Sequence, residues 1–118
     1  MHDTIVALSS PAGSSELAVI RLSGPRSFEL VGRICRPHPQ IGRLTPCWLE
    51  LPGWPRLPAE LLGFRAPRSY TGEDLLELWI PGGMPLVRDT LLEFVARGAR
   101  LAQPGEYTRR AFVHGRLD

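Results

Sequence analysis

Short apolar runs, each bounded by glycine, proline or serine, recur along the chain and predict β-strands. The first two lie near the amino terminus and flank the turn-forming stretch Ser9-Ser10-Pro11-Ala12-Gly13. The predicted strands cover residues 3–8, 17–22, 45–51, 61–66, 74–80 and 99–102. Pro46 favours an edge position for its strand, because proline cannot donate a ladder hydrogen bond. Residues 52–58, rich in proline and glycine, are predicted to form a surface loop.

Apolar residues at helical spacing predict three helices between or after these strands. The first begins after the turn Ser23-Gly24-Pro25 and is closed by Pro37. The others cover residues 85–97 and 106–114, and each is followed directly by a glycine, a common helix stop. Strands that interleave with two or three helices predict a single α+β domain, residues 1–118, with one mixed β-sheet.

The bulk composition is that of an ordinary globular domain. The chain has 118 residues, of which 43% are hydrophobic and 22% are charged. No apolar run approaches the ~20 residues of a membrane helix, and the amino terminus lacks the features of a secretory signal. We therefore expect a soluble cytoplasmic domain without membrane contact.

Two classes of site are excluded by residue content. All fourteen basic residues are arginines, so the phosphate-binding motif G-x-x-x-x-G-K-[ST], which needs a lysine, is absent. A P-loop GTPase cannot be built from these residues alone. Two cysteines and three histidines are scattered without zinc-ligand spacing, so no metal site is predicted.

Two charged residues interrupt predicted strands. Arg21 shares a strand face with Leu17 and Val19, and Glu77 lies inside the run Leu75-Leu76-Glu77-Leu78. A charge inside an apolar strand needs a partner, an exposed face or a ligand. From the residues alone, mutual pairing or exposure is the more economical interpretation, and a ligand site is the alternative.

Two further segments carry more polar residues than a turn or helix requires. They are the turn 69–74 and the carboxy-terminal segment 104–118. The plain interpretation of Glu73-Asp74 is a solvated strand entry, and that of Arg109-Arg110 is a solvated helix face. No catalytic triad can be argued from spacing.

These segments carry a family resemblance. Residues 69–78, Gly82-Gly83, residues 98–112 and Gly115-Arg116-Leu117-Asp118 closely resemble blocks of the amino-terminal, folate-binding domain of the tRNA modification GTPase MnmE/TrmE family. The opening blocks 3–7 and 20–25 match in the same order. The resemblance covers essentially the whole chain and is weakest at about residues 37 to 60.

The resemblance implies a fold similar to the folate-binding domain of aminomethyltransferases. It also implies a domain that binds 5-formyltetrahydrofolate or a related reduced folate and forms a homodimer. The helical and GTPase domains of the family are absent from this chain, so GTP, potassium and magnesium would act only through those domains. The full-length protein would act on the wobble uridine of tRNA with an MnmG-type FAD protein, and the folate would supply the one-carbon unit.

The family's folate contacts fall on Arg21, Glu77 and Arg116. The chemistry suits them, because a carboxylate can accept from the amino group and ring N–H of a pterin. Guanidinium groups suit the carboxylates of the folate tail and its carbonyl oxygens. We expect no catalysis from this chain alone.

Two other hypotheses stay open. The chain is alternatively a divergent stand-alone homologue that serves as an assembly or interaction module without folate binding. An aminomethyltransferase-like enzyme ranks last, because it needs a catalytic acid and a longer chain.

Overall fold

Seven strands form one mixed β-sheet, and the computed structural model describes residues 2–10 and 16–116. The strands are β1 Ile5–Leu8, β2 Leu17–Ser23, β3 Cys35–Arg36, β4 Thr45–Leu49, β5 Leu57–Phe64, β6 Leu75–Pro81 and β7 Arg100–Leu101. Their order across the sheet is β3-β4-β5-β6-β2-β1-β7. Only the β1–β7 pair is parallel among the described strands.

Three helices complete the described fold: α1 Ser27–Ile34, α2 Met84–Ala96 and α3 Glu106–Val113. The prediction of an α+β domain with one mixed sheet is confirmed. The longest of these helices has 13 residues, and no helix in residues 2–10 and 16–116 has the length and apolarity to span a membrane. Residues 11–15 of the predicted first loop lie outside the described residues.

The strand β5 begins earlier than predicted. Its first residues, Leu57 and Pro58, were expected in a surface loop, but they pair with Leu49 and Trp48 of β4. The alternation of inward and outward positions from residue 57 onward is obscured in the sequence by proline and glycine. The two-residue strand β3 follows α1 without a break and gave no local signal.

The predicted edge position of Pro46 is correct only locally. Strand β4 has neighbours on both sides, but the short β3 pairs only with Trp48 and Leu49. Among the described residues, Pro46 therefore has no strand on its outer side, and its missing N–H costs no ladder hydrogen bond.

One face of the sheet packs against α1 and α2 and forms the core. Alternate residues of the two central strands point to this face and are almost completely buried: Ala18, Ile20 and Leu22 of β2, and Leu76, Leu78 and Ile80 of β6. In α2, the buried residues Leu86, Val87, Thr90 and Phe94 face the core. Val95, one position after Phe94, is 36% exposed.

Helix α3 lies against the opposite face of the sheet. The hydroxyl of Tyr107 donates a hydrogen bond of 2.6 Å to the backbone carbonyl of Arg21, and the Arg21 guanidinium lies 5.6 Å from the centre of the Tyr107 ring. Because Arg21 alternates with the core residues Ile20 and Leu22, its side chain marks the face away from α1 and α2. This second face carries the candidate site described below.

A buried group of charges fixes α3 in this position. The guanidinium of Arg110 is fully buried and donates hydrogen bonds to the carboxylates of Glu73, Asp3 and Glu106 at 3.1, 2.6 and 3.2 Å. The prediction that Arg110 belongs to a solvated helix face is therefore wrong, and so is a solvated role for the buried Glu73. A buried guanidinium is tolerated because several carboxylates compensate it.

Replacing Arg110 with methionine is expected to destabilise the fold by about 3–5 kcal/mol, because it leaves Glu73 and Glu106 buried without their shared cation. Urea denaturation followed by circular dichroism measures the loss. Arg109→Met is the matched control on the same helix, since the Arg109 side chain is 62% exposed. We expect the control to cost less than about 1 kcal/mol. Equal losses for the two variants would contradict the role of the buried cluster.

The same cluster makes the stability of the fold depend on pH in the acidic range. Hydrogen bonding from Arg100 lowers the pKa of Glu106 from 4.5 to about 2 and that of Asp3 from 3.8 to about 2. A lowered folded-state pKa adds stability above the unfolded-state value, and this contribution disappears as the pH falls through the folded value.

We therefore expect the free energy of unfolding to decrease as the pH falls from 4.5 towards about 2. Urea denaturation over this range measures the decrease. Glu106→Gln removes one titrating group, so its stability should be lower at neutral pH and should change less with acid. A variant that keeps the full acid dependence would show that Glu106 does not contribute to it.

Candidate functional site

Cross-strand pairing places two of the predicted site residues side by side. In the sheet register, Arg21 of β2 is paired with Glu77 of β6, and Glu77 is paired in turn with Leu62 of β5. Directly paired residues point to the same face of a sheet. Arg21 and Glu77 therefore share the face on which α3 lies, away from the core.

Arg21 is held from two sides but keeps one unsatisfied donor. Its Nη2 donates to Oε2 of Glu77 at 2.9 Å, and the Tyr107 ring lies beside its guanidinium. Its Nε is buried and has no hydrogen-bond partner in the described part of the chain. Burial raises the pKa of Tyr107, so its hydroxyl remains a donor to the Arg21 carbonyl.

Glu77 is half-buried and only partly engaged. Its side chain is 18% exposed, and its hydrogen bond to Arg21 uses Oε2. Within residues 2–10 and 16–116, no hydrogen bond is formed by its other oxygen, Oε1. Arg21 and Glu77 thus pair with each other, as the more economical interpretation predicted. The pair still has a free acceptor, Oε1 of Glu77, and a free donor, Nε of Arg21, among the described residues.

The loop between β5 and β6 forms one wall beside this pair. The hydroxyl of Tyr70 lies 3.1 Å from the hydroxyl of Thr108 in α3. Gly72 has φ +80°, and a Cβ at this position would lie 2.8 Å from the Cβ of His114. Glycine is required there because both the backbone conformation and the close approach to His114 exclude a side chain. The loop and the end of α3 are therefore packed tightly together.

Arg116 enters the site from the segment after α3. Its Nε donates to the backbone carbonyl of Ser69 at 3.1 Å, which fixes the side chain against the loop. Its two terminal nitrogens form no hydrogen bond with the described residues. A guanidinium anchored through Nε presents its outer edge for a second, bidentate contact.

Arg21, Glu77 and Arg116 all line one cavity of about 500 Å³, which we call the arginine cavity. The cavity is completed by Phe64, Leu75, Arg68, Ser69 and Tyr70. Its volume lies within the range of small-molecule sites, which is roughly 300–1,000 Å³. Three guanidinium groups and one carboxylate give its wall an excess of positive charge.

Sequence reasoning missed part of this lining. Arg68 contributes a third arginine, and its side chain forms no hydrogen bond or ion pair with the described residues. Phe64 and Leu75 supply the apolar surface. Side chains alternate between the two faces along β5 and β6, and this alternation places Phe64 and Leu75 on the same face as Glu77. The sequence pattern therefore contained a signal for these two residues. No sequence signal places Arg68 near the other three charged residues.

The described fold and cavity define an α+β domain with a largely cationic cavity on the sheet face opposite α1 and α2. A family model described as "GTP-binding protein TrmE N-terminus" matches residues 4–116. The chain belongs to this family.

Curated relatives support the same assignment. The chain is 44% identical to the tRNA modification GTPase MnmE of Caulobacter vibrioides, 42% to that of Symbiobacterium thermophilum and 38% to that of Thermotoga maritima. These matches cover 100%, 99% and 98% of the chain, but 26%, 27% and 26% of the relatives. The chain thus spans about a quarter of the length of these relatives.

Proposed function

We propose that the arginine cavity binds a reduced folate, with 5-formyltetrahydrofolate as the representative ligand. The observation that carries the proposal is the convergence of Arg21, Glu77 and Arg116 on one cavity from three separate segments of the chain. These are the residues to which the family resemblance assigns folate contacts. Their chemistry matches the two ends of a folate, which are a hydrogen-bonding pterin and an acidic tail.

Glu77 is the proposed anchor of the pterin. A carboxylate accepts two adjacent N–H donors well, and a pterin presents an amino group beside a ring N–H. Arg21 holds one carboxylate oxygen at 2.9 Å and keeps the side chain in a fixed orientation. The remaining lone pairs of the carboxylate, including those of Oε1, are then available to the ligand.

The arginines favour the acidic part of the ligand. Arg116 and Arg68 have no carboxylate partner in the described chain, although most of the other arginines do. Guanidinium groups bind carboxylates through paired N–H donors. The orphaned Nε of Arg21 adds a buried donor that a carbonyl oxygen of the ligand would satisfy.

In a longer protein, the domain would serve tRNA modification. We infer this from relatives that are named tRNA modification GTPases and that are about four times as long as the matched segment. There the domain would present the folate as a one-carbon donor for the wobble uridine and would join two copies into a homodimer. GTP, potassium and magnesium would bind other domains, and an MnmG-type FAD protein and tRNA would be partners of the whole assembly in the cytoplasm.

One observation favours a second candidate function. Arg21 and Glu77 neutralise one another within the sheet, so neither charge requires a ligand for its stability. A domain that has retained this pair for structural reasons would act as an assembly module and would bind no folate.

The folate proposal is tested with Glu77→Ala. Isothermal titration calorimetry with 5-formyltetrahydrofolate should show saturable binding by the wild-type domain and a loss of about 100-fold or more in the variant, because two charge-assisted hydrogen bonds disappear. Glu60→Ala is the matched control, since Glu60 lies on the neighbouring strand and the same sheet face. An unchanged affinity in Glu77→Ala would reject Glu77 as the anchor.

The homodimer is tested separately by sedimentation equilibrium with and without the folate. We expect twice the chain mass in both conditions, because the proposed association does not depend on ligand. A dimer that shows no folate affinity would favour the assembly module. A folate-binding monomer would count against the proposed dimer and against the assembly module.

A further inference from the structure

A second cavity lies on the same sheet face, beyond the Arg21–Glu77 pair. The register aligns Pro46, Glu60, Trp79 and Val19 in one row across four strands. Three members of this row line a cavity of about 560 Å³, and the rest of its lining is formed by Glu16, Leu17, Pro58, Ala59 and Pro81. We call it the glutamate cavity. Its lining is mainly apolar, apart from the two carboxylates.

These two carboxylates have no cationic partner. Within residues 2–10 and 16–116, neither the Glu16 nor the Glu60 side chain forms an ion pair or a hydrogen bond. Every other described carboxylate lies within 4.0 Å of an arginine nitrogen. In a chain with fourteen arginines, the two unpaired acids thus border the same cavity.

Trp79, which lines the cavity, also carries an unsatisfied donor. The indole nitrogen of Trp79 is buried and has no hydrogen-bond partner among the described residues. Buried N–H groups of this kind are normally hydrogen-bonded. A ligand that suits the site therefore brings a cation for the carboxylates, an apolar stem for the tryptophan and prolines, and an acceptor for the indole N–H.

We propose that the glutamate cavity binds a partner polypeptide that inserts an arginine or lysine side chain. The aliphatic stem packs on Trp79 and the prolines, while the cationic end meets Glu16 and Glu60. A backbone carbonyl of the same segment accepts from the indole N–H. Nucleic acid is disfavoured because its phosphates are repelled by the carboxylates, and a polyamine has no acceptor for the indole.

The site is independent of the proposed folate site. The arginine cavity carries three guanidinium groups, whereas the glutamate cavity carries two carboxylates and no cation. An acidic folate tail is therefore attracted to the first cavity and repelled by the second. Loss of peptide binding and loss of folate binding should follow from different substitutions.

The test uses the ¹⁵N-labelled domain and three probes: acetyl-Pro-Arg-Pro-amide, the same peptide with norleucine in place of arginine, and spermidine. The arginine peptide should shift the Trp79 indole resonance saturably, and that resonance is assigned by its loss in Trp79→Phe. Norleucine keeps the apolar stem without the charge, so it should bind about tenfold more weakly or worse.

Two variants complete the test. Glu60→Gln should weaken the arginine peptide about tenfold and leave the affinity for 5-formyltetrahydrofolate unchanged. Glu29→Gln, on helix α1 of the other sheet face, should change neither affinity. The proposal is overturned if the arginine peptide causes no saturable shift, or if the norleucine peptide or spermidine binds as tightly as the arginine peptide. It is also overturned if Glu60→Gln does not weaken binding of the arginine peptide. It is also overturned if Glu60→Gln instead disrupts self-association, because the occupant is then a second copy of the chain.

Discussion

The buried guanidinium of Arg110 is the interaction on which the functional face depends. It joins α3 to Glu73 in the loop before β6 and to Asp3 before β1, which is 107 positions away in the chain. This contact joins a residue near the amino terminus to the last helix of the described fold. Because removal of Arg110 leaves the buried Glu73 without its cation, the cluster favours one arrangement of helix, loop and strand over its alternatives.

The site follows from this arrangement. The sheet supplies Arg21 and Glu77 through its register, but Arg116 reaches them because α3 is held against the same face and the loop at Gly72 packs against its end. The Tyr107 hydroxyl connects α3 directly to the backbone of Arg21. These contacts leave the outer edge of Arg116 and one oxygen of Glu77 without partners in the described chain, so the groups proposed to bind a ligand are already positioned without one.

The sheet face that carries α3 separates charges of opposite sign. Arginines without carboxylate partners border one cavity, and carboxylates without arginine partners border the next, although the two lie on the same strands. The Arg21–Glu77 pair lies beside the arginine cavity, and Trp79 lies two residues further along β6 beside the other. At such short range, the sign of the local charge would select between acidic and basic ligands more strongly than the modest net charge of +2.

The sequence by itself determined most of the elements, the α+β class and the charged residues Arg21 and Glu77, because hydrophobic periodicity and turn residues are local properties. It also excluded a P-loop, because lysine is absent. Only the tertiary structure decided that Arg110 is buried, that Arg68 joins the arginine cavity and that Glu16 and Glu60 share another. Burial and pairing of charges depend on contacts between distant segments, and residue spacing along a chain does not encode which arginine meets which carboxylate.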